Sequence, residues 1–250
     1  MQIGWREKYQ GPLRFYPERQ GALEHLDRPH PERAEMERSY RDLEAISRLP
    51  GQFRPLRRAV ERLVREASAQ SGVARRLELL ELGAGTGLVG LRLAQALASS
   101  GRRVDLLSTD LRPDFLPAAR ESEPLVIRAS KLDVLADPIP EADIIIANLL
   151  LHHFETKDAA SVLSRMEKQS RLGGVVFDLD RNLFAFSFLR FFFPLWVRSP
   201  MTVADALFSV QQAFRTNELL DLAIRAGIKN PRIRRHLWIR NLLWWHRNVT

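Results

Sequence analysis

Residues 77–87 read LELLELGAGTG, a leucine-rich run that ends directly in three alternating glycines. Apolar residues dominate the run and a turn signal ends it, so the pattern predicts a buried strand of a parallel sheet. Residues 88–97, LVGLRLAQAL, then place leucines and alanines on one face of a helix. Strand, glycine turn and helix form the first half of a nucleotide-binding βαβ unit, because glycines let a ligand approach the main chain closely.

Two classes of ligand are compatible with this glycine turn. The spacing Gly85-x-Gly87-x-x-Gly90 matches the pattern of dinucleotide-binding proteins. However, Glu81 stands two residues before Gly83, the first of the alternating glycines. A carboxylate beside the loop would repel a pyrophosphate and attract a cationic ligand. The acid therefore favours a cationic ligand, and a glycine turn that binds nothing is the remaining alternative.

Later predicted strands end in polar residues where a nucleoside could bind. Residues 104–109 predict a second strand that ends at Asp110, 23 residues after Gly87. An acid at this point of a βαβ unit accepts hydrogen bonds from both ribose hydroxyls, although it could instead cap a helix before Pro113. The further predicted strands are residues 125–127, 143–148 and 175–179.

Length and composition narrow the class of protein. The 250 residues suffice for one α/β domain with additions. Cysteine is absent, which excludes disulfides, thiol catalysis and a cysteine-based zinc site. Residues 1–12 lack the apolar core of a signal peptide, and the apolar run 183–197 is interrupted by Ser187, Arg190 and Pro194. We therefore expect a cytoplasmic protein without a spanning helix.

Charge is distributed unevenly along the chain. Residues 1–180 hold 27 basic and 27 acidic side chains, whereas residues 181–250 hold 11 basic and 3 acidic side chains. The whole formal net charge of +8 therefore belongs to the C-terminal part. Such a region could face anionic lipid, nucleic acid or an anionic substrate, or it could be a solvated arginine-rich surface.

The parts outside the nucleotide unit show helical and strand-like patterns. An irregular arm, residues 1–30, precedes two predicted helices over residues 32–49 and 54–69, which would form a cap. After the last parallel strand, the predicted elements are helices near residues 183–197 and 216–226 and an antiparallel hairpin of residues 232–238 and 239–245.

Several of these features occur in a recognisable order. They are residues 81–87, Asp110, Asp133, the strand that ends at Asn148, and the residues Leu172, Gly173 and Gly174. Over residues 76–182 the chain resembles the class I S-adenosylmethionine (SAM)-dependent methyltransferases. The residues 151–154, LHHF, are similar more narrowly to the ubiquinone/menaquinone-type methyltransferases and their relatives that act on small polyketide or phenolic acceptors.

The resemblance implies a fold and a domain organisation. The fold is α/β, Rossmann-like and doubly wound, with a mostly parallel seven-stranded sheet, an antiparallel last strand and an N-terminal helical cap. Residues 1–72 would form the arm and the cap. Residues 73–250 would form the SAM-binding methyltransferase domain, with an insertion at about residues 183–215 that covers the substrate.

The resemblance also implies SAM as the cofactor and assigns residues to its parts. The glycines would lie against the methionine part, and Glu81 would help to hold its amino group through the local network. Asp110 would bind the ribose, and Asp133 with Val134 would bind the adenine. The complete implied set is Glu81, Gly83, Gly85, Gly87, Asp110, Leu111, Asp133, Val134 and Asn148.

Candidate residues for the acceptor side follow the fourth and fifth parallel strands. His152 and His153 come just after the fourth strand, and a histidine there could take a proton from a phenol or could simply pack the next helix. The remaining candidates for binding the acceptor are Asp180, Arg181, Phe188 and Phe192. The other histidines lack metal-ligand spacing, so no metal site is predicted.

Taken with the resemblance, the expected function is methyl transfer from SAM to a small, apolar aromatic or polyketide- or quinol-like acceptor, at oxygen or carbon. The alternatives are an NAD-dependent oxidoreductase and an RNA methyltransferase that uses the basic C-terminal region. The fourth strand ends in Asn148-Leu149-Leu150-Leu151, which is not the Asn/Asp-Pro-Pro-aromatic motif of base-amino methylases. We expect a lipophilic small-molecule partner, no specific nucleic acid, peripheral contact with a membrane, and a monomer or homodimer.

Overall fold

The structure is a computed structural model that describes residues 12, 14–21, 24–25, 32–47, 53–71, 76–197 and 199–247. Most of the predicted arm, residues 1–30, therefore lies outside the described residues. The strands are β1 Leu77–Leu82, β2 Val104–Asp110, β3 Arg120–Ser122, β4 Leu125–Lys131, β5 Ala142–Asn148, β6 Ser170–Leu179, β7 Arg232–His236 and β8 Arg240–His246. The helices are α1 Arg33–Ser47, α2 Arg54–Ser71, α3 Leu88–Ser99, α4 Thr156–Gln169, α5 Leu183–Phe191, α6 Pro200–Gln212 and α7 Thr216–Arg225.

The strands form one sheet in the order β3-β4-β2-β1-β5-β6-β8-β7. Strands β4, β2, β1, β5 and β6 run parallel, with Leu82 of β1 opposite Thr109 of β2 on one side and Ala147 of β5 on the other. The strand order reverses between β1 and β5. In open α/β sheets, ligands bind at the carboxyl ends of the strands at such a reversal.

The predicted fold class is confirmed, but the sheet has eight strands instead of seven. The additional strand is β3, three exposed residues of sequence Arg-Glu-Ser that pair antiparallel with the start of β4. A strand this short and polar leaves no alternation of apolar residues, so the sequence carries no signal for it. The predicted C-terminal hairpin is present, and β8 lies between β6 and β7.

Helices cover both faces of the sheet, which explains why the central strands are apolar throughout. In β5, Ile144 and Ile146 pack in the core beneath α2 and α3. Ile145 of the same strand packs in the opposite core, beneath α4 and α7. Burial on both faces replaces the alternating pattern by a continuous apolar run.

A third apolar cluster joins α5 and α6 to the end of β6 at Leu179. The predicted helix over residues 183–197 is shorter, because α5 ends at Phe191 and a short 3-10 turn, Phe193–Leu195, follows it. Helix α6 was not predicted. It begins with Pro200 after the capping side chain of Ser199, and nine of its residues are buried, polar ones included, so its sequence shows no clear apolar stripe. None of the helices in the described residues combines the length and apolar character that crossing a bilayer requires.

Candidate active site

A cavity of about 1110 Å³ opens at the carboxyl ends of the parallel strands. Its walls include the loop after β1, the ends of β2, β5 and β6, the residues after β4, and side chains of α1, α5 and α6. Pockets for one drug-sized ligand measure about 300–1,000 Å³. The cavity therefore has room for a nucleoside-sized ligand and a second small molecule side by side.

The glycine loop after β1 forms one wall of the cavity. Gly83, Gly85 and Gly87 have φ angles of 60°, 57° and 66°, the left-handed region that glycine adopts without strain. Gly83 and Gly85 line the cavity, whereas Gly87 does not, because it precedes α3 and lies against Pro117. A Cβ at Gly87 would stand 2.5 Å from Cδ of Pro117. The role of Gly87 in this structure is therefore to allow the turn into α3.

Glu81 lies beneath the glycine loop and does not line the cavity. Its carboxylate accepts hydrogen bonds from the Gly90 N–H at 3.0 Å and from the Ser108 hydroxyl at 3.2 Å. Burial, opposed by these two hydrogen bonds, raises the pKa of Glu81 to about 7. In this geometry Glu81 does not contact the amino group of a cofactor directly. Glu81 instead holds the loop to the start of α3 and to β2.

Asp110 stands at the end of β2 and faces the cavity. One carboxylate oxygen accepts a hydrogen bond from the Gly85 N–H at 2.8 Å, and the other accepts one from the Arg112 N–H at 2.9 Å. Each oxygen keeps a further lone pair, because an ionised carboxylate has about four acceptor sites. Asp110 therefore fixes the glycine loop and can still accept from a ligand such as a ribose.

The other residues predicted for cofactor binding lie around the same cavity. Leu111, Asp133, Val134 and Asn148 all line it. The Asp133 carboxylate also accepts hydrogen bonds from two backbone N–H groups of the following turn, at 2.8 and 3.3 Å. This turn positions Asp133 and Val134 at the cavity wall next to β4, on the far side of Asp110 from β1.

His152 is buried between two carboxylates. Its Nδ1 lies 2.6 Å from Oδ1 of Asp178, and its Nε2 lies 3.5 Å from Oε1 of Glu24. The second oxygen of Asp178 accepts hydrogen bonds from the backbone N–H groups of Leu151 and His152, at 2.8 and 3.2 Å. The Asp178 carboxylate thus fixes both the backbone at Leu151 and His152 and the His152 ring.

This environment changes the interpretation of His152. Burial opposes the charged form, but Asp178 and Glu24 outweigh it and raise the pKa of His152 to about 10. At neutral pH the ring is an imidazolium and has no lone pair for accepting a proton. The prediction that His152 is a general base therefore does not fit the structure. His153 is half-buried, lines the same cavity, and has its ring centroid 4.2 Å from that of His152.

Three residues near this point could also hold a divalent cation. Glu24, His152 and His153 each offer a ligand atom, and these atoms lie within 4.8 Å of one another. Within the part of the chain that the structure describes, this is the one group with such spacing. The sequence contains no hint of it, because Glu24 is 128 residues away from His152. A cation would first have to displace the proton that the two carboxylates stabilise on His152.

Asp180 and Arg181 do not reach the cavity. Asp180 is buried and pairs with Arg235 of β7 at 2.6 Å. Arg181 is buried as well and binds the Glu218 carboxylate of α7 and the Ala213 carbonyl. Both side chains are therefore used to hold the elements that follow β6. The predicted role of these two residues in binding an acceptor is not supported.

Aromatic side chains of α5 provide the apolar wall of the cavity. Phe188 and Trp196 line it and stack on each other with ring centroids 6.1 Å apart. Phe192 also stacks on Phe188, with ring centroids 5.7 Å apart, but it is 52% exposed and does not line the cavity. Of the two predicted phenylalanines, Phe188 is placed to contact an acceptor.

The N-terminal region contributes residues to the cavity wall that were not predicted from the sequence. Tyr40 of α1 lines the cavity and packs on Phe115, with ring centroids 4.4 Å apart. Glu24 and Asp205 are buried acidic residues of the same cavity, held by Ser209 and His25 respectively. The spacing of apolar residues in α1 predicts a helix, but nothing in the sequence indicates that Glu24 contacts Ser209 of α6.

The charges of the cavity wall suit the molecule that the resemblance implies. Five acidic side chains line the cavity, those of Asp110, Asp133, Glu24, Glu44 and Asp205, alongside the basic side chains of Arg112 and Arg240. SAM carries an ammonium and a sulfonium, both of which gain from nearby carboxylates. The open lone pairs of Asp110 suit the ribose hydroxyls. The residues present therefore fit SAM.

Comparison with solved structures supports this fold. A Nostoc punctiforme protein, named as a proposed O-methyltransferase, aligns with a TM-score of 0.51 and 12% identity, over 85% of this chain and 60% of that one. LepI in complex with SAM aligns with a TM-score of 0.51 and 16% identity, over 74% of this chain and 46% of that one. A structure described as a pericyclic reaction enzyme aligns equally well, with a TM-score of 0.51 and 16% identity, over 74% of this chain and 47% of that one.

This chain thus spans between about half and three fifths of the length of these structures. A search of the curated proteins finds no match to its sequence. Residues 80–176, which hold the glycine loop and Asp110, match the family described as a methyltransferase domain.

Proposed function

We propose that the protein transfers a methyl group from SAM to a small apolar acceptor, either aromatic or polyketide- or quinol-like, at oxygen or carbon. One observation carries this proposal: a continuous cavity joins the glycine loop and Asp110 at one end to Phe188 and Trp196 at the other. The narrower resemblance to ubiquinone/menaquinone-type methyltransferases belongs to the same proposal. It is supported by the turn of residues 151–154 lying on the cavity.

The cofactor supplies an electrophilic methyl group on a sulfonium. The protein's own residues would hold the two reactants in line, since correct positioning alone removes a large part of such a barrier. Asp110 and the loop from Gly83 to Gly85 would bind the nucleoside and methionine parts. Phe188 and Trp196 would orient a flat or chain-like acceptor against them.

For a phenolic or alcoholic acceptor, a proton must leave the oxygen as the carbon–oxygen bond forms. We assign this proton to His153, which lines the cavity next to the fixed cation of His152. The electron pair of the broken carbon–sulfur bond stays on sulfur, so the step consumes no oxidant. For a carbon acceptor the same histidine would take the proton from the methylated carbon.

The first experiment tests the cofactor site. Asp110→Asn should weaken SAM by about 1.5–3 kcal/mol, typical for losing hydrogen bonds to a charged group. Isothermal calorimetry measures this change, and Asp114→Asn, a neighbouring acid outside the cavity lining, serves as the matched control. If SAM binds Asp110→Asn as tightly as the original protein, the assignment of Asp110 fails.

The second experiment tests the reaction itself. A panel of phenols, quinols and polyketides is incubated with SAM labelled on the methyl group. The readout is the label transferred to the acceptor. One protein of this fold is described as a pericyclic reaction enzyme. Consumption of the acceptor alone would therefore not distinguish methyl transfer from a pericyclic reaction. An RNA oligonucleotide and NADH belong in the same panel, and label on RNA or oxidation of NADH would favour the alternatives.

A further inference from the structure

We infer that an aromatic surface beside the cavity docks onto an anionic lipid bilayer. The surface consists of exposed side chains of α5, the turn after it and the β7–β8 turn. Its members are Phe184, Phe191, Phe192, Leu195, Trp196 and Trp238, which are between 52% and 73% exposed. Large apolar side chains in such density on a protein surface mark a site of interaction.

These side chains belong to one continuous surface. The rings of Phe184, Phe188 and Phe192 form a stack along α5, with centroid separations of 6.4 and 5.7 Å. The β7–β8 turn is tied to the start of α5, because the Asn182 side-chain amide donates a hydrogen bond to the Trp238 carbonyl at 2.9 Å. The two aromatic regions are therefore held side by side.

The same surface leads into the cavity. Phe188 and Trp196 belong to the aromatic stack and also line the cavity, and Leu237 of the β7–β8 turn lines it too. Leu237 is 54% exposed. Apolar side chains therefore continue from the outer surface to the interior. A lipophilic molecule could follow these apolar side chains into the cavity.

Charge decides which partner fits the surface. Residues 181–204 and 226–250, which supply all of its members, contain no acidic side chain. They contain nine basic ones, of which Arg234 and Arg235 are exposed near the turn end of β7, and Arg235 is also paired with Asp180. Arg235 also lies over the Trp238 ring at 5.7 Å. A second copy of the chain would oppose like charges, whereas anionic headgroups attract the arginines while the aromatic rings enter the interface.

The docked protein would lie on the bilayer and not span it. Apolar contacts and basic residues act together in such binding, so it should depend on both anionic lipid and salt. The inference concerns the surface only. It does not require the proposed methyl transfer, and vesicle binding measured without SAM or acceptor can fail or succeed independently of it.

The experiment is flotation of the full chain with vesicles of phosphatidylcholine alone and of an equal mixture with phosphatidylglycerol, at low and moderate salt. We expect binding to the mixed vesicles, weaker binding to the neutral ones, and a decrease with salt. Leu195→Asp and Trp238→Ala change exposed members of the surface outside the cavity lining. Each should lower the partition coefficient by about tenfold or more.

Ile224→Asp is the matched control, since Ile224 is 56% exposed on α7 and the added charge is the same. It should leave binding unchanged, and thermal unfolding shows whether every variant is folded. The inference is overturned by absence of binding to the mixed vesicles at both salts, or by an equal loss in Ile224→Asp. A dimer in size-exclusion chromatography that Leu195→Asp dissociates would overturn it too, because a second copy would then cover the surface.

Discussion

At the scale of single residues, two buried carboxylates have pKa values shifted in opposite directions. Glu81 receives only the Gly90 N–H and the Ser108 hydroxyl, and burial raises its pKa to about 7. Asp178 is equally buried, but the His152 cation outweighs this burial and lowers the pKa of Asp178 to about 2. Glu81 therefore titrates near neutrality, whereas Asp178 is ionised there.

The raised pKa of Glu81 predicts a pH dependence of stability. Between about pH 4.5 and about pH 7 the folded state binds a proton at Glu81 that the unfolded state has lost, so the free energy of unfolding decreases as pH rises through this window. The expected contribution is roughly 3 kcal/mol. Glu81→Gln, which keeps the acceptor for Gly90, should remove it. Urea unfolding of both proteins across the window measures the difference, and parallel pH curves would contradict the assignment.

The two neighbouring histidines should respond differently to substitution. His152→Ala leaves Asp178 buried without its cation, and breaking such a pair costs about 3–5 kcal/mol of the free energy of unfolding. His153→Ala should keep stability and SAM affinity but lower turnover about 100-fold on a phenolic acceptor. Chemical unfolding and single-turnover rates separate the two effects. Full turnover in folded His153→Ala would mean that positioning alone carries the reaction.

At the scale of elements, the pairing of β6 with β8 depends on two glycines. A Cβ at Gly173 would stand 2.0 Å from the Trp245 carbonyl oxygen, and one at Gly174 would stand 2.3 Å from the Trp245 ring. Trp245 is fully buried near the end of β8. The Leu-Gly-Gly segment that supports the family resemblance thus has a structural reason, because it admits the last strand and its tryptophan next to β6.

Gly174→Ala should therefore destabilise the protein by about 1–3 kcal/mol, the usual cost of overpacking a core. The added methyl group would have to displace the Trp245 indole, which is fully buried. Thermal and urea unfolding measure the effect. Gly21→Ala is the control, because a Cβ there would meet nothing within 4 Å. Equal stability of Gly174→Ala and the original chain would show that β8 adjusts without cost.

Elements with a strong periodic pattern could be predicted from the sequence, and the others could not. Strand β1, the glycine loop and α3 follow from residues 77–97 alone, since each has a distinct pattern of apolar residues and turns. Helix α6 escaped prediction because Thr202, Asp205 and Gln211 are buried among its apolar residues. Their polar groups find partners from distant parts of the chain, which no local pattern can show.

Some residues of the candidate site could likewise be predicted from the sequence, and others could not. Asp110 could be placed next to Gly85 because parallel strands end at one edge of the sheet, and the structure joins them by a hydrogen bond of 2.8 Å. The same reasoning fails for Asp180 and Arg181, whose side chains turn away from the cavity to β7 and α7. The end of a strand fixes where a residue lies but not which way its side chain points.

At the scale of the whole molecule, the N-terminal arm is fastened to the turn that carries His152 and His153. Arg19 donates hydrogen bonds to the carbonyls of His152 and Phe154, at 2.9 and 2.5 Å, and to that of Gln212. Its guanidinium also lies 4.2 Å from the centre of the Phe214 ring. One side chain thus connects the arm to the turn that carries both histidines and to the region after α6.

Arg19→Ala should loosen this closure and raise the acceptor KM by about tenfold, since a hydrogen bond to a charged group contributes about 1.5–3 kcal/mol. SAM affinity should stay the same, because the cofactor residues lie at the other end of the cavity. Initial rates and calorimetry measure the two quantities. Arg14→Ala is the control, as Arg14 bonds Tyr16 within the arm itself. An unchanged acceptor KM in Arg19→Ala would show that the arm does not govern acceptor binding.

The two outer strands of the sheet also limit how the chain can associate with itself. Strand β3 at one edge is three exposed residues long, and β7 at the other edge exposes Arg232, Arg234 and Arg235. Short edges and rows of like charge discourage a further strand from adding to a sheet. We therefore expect no intermolecular sheet, and a homodimer of this protein would have to form through its helices and loops.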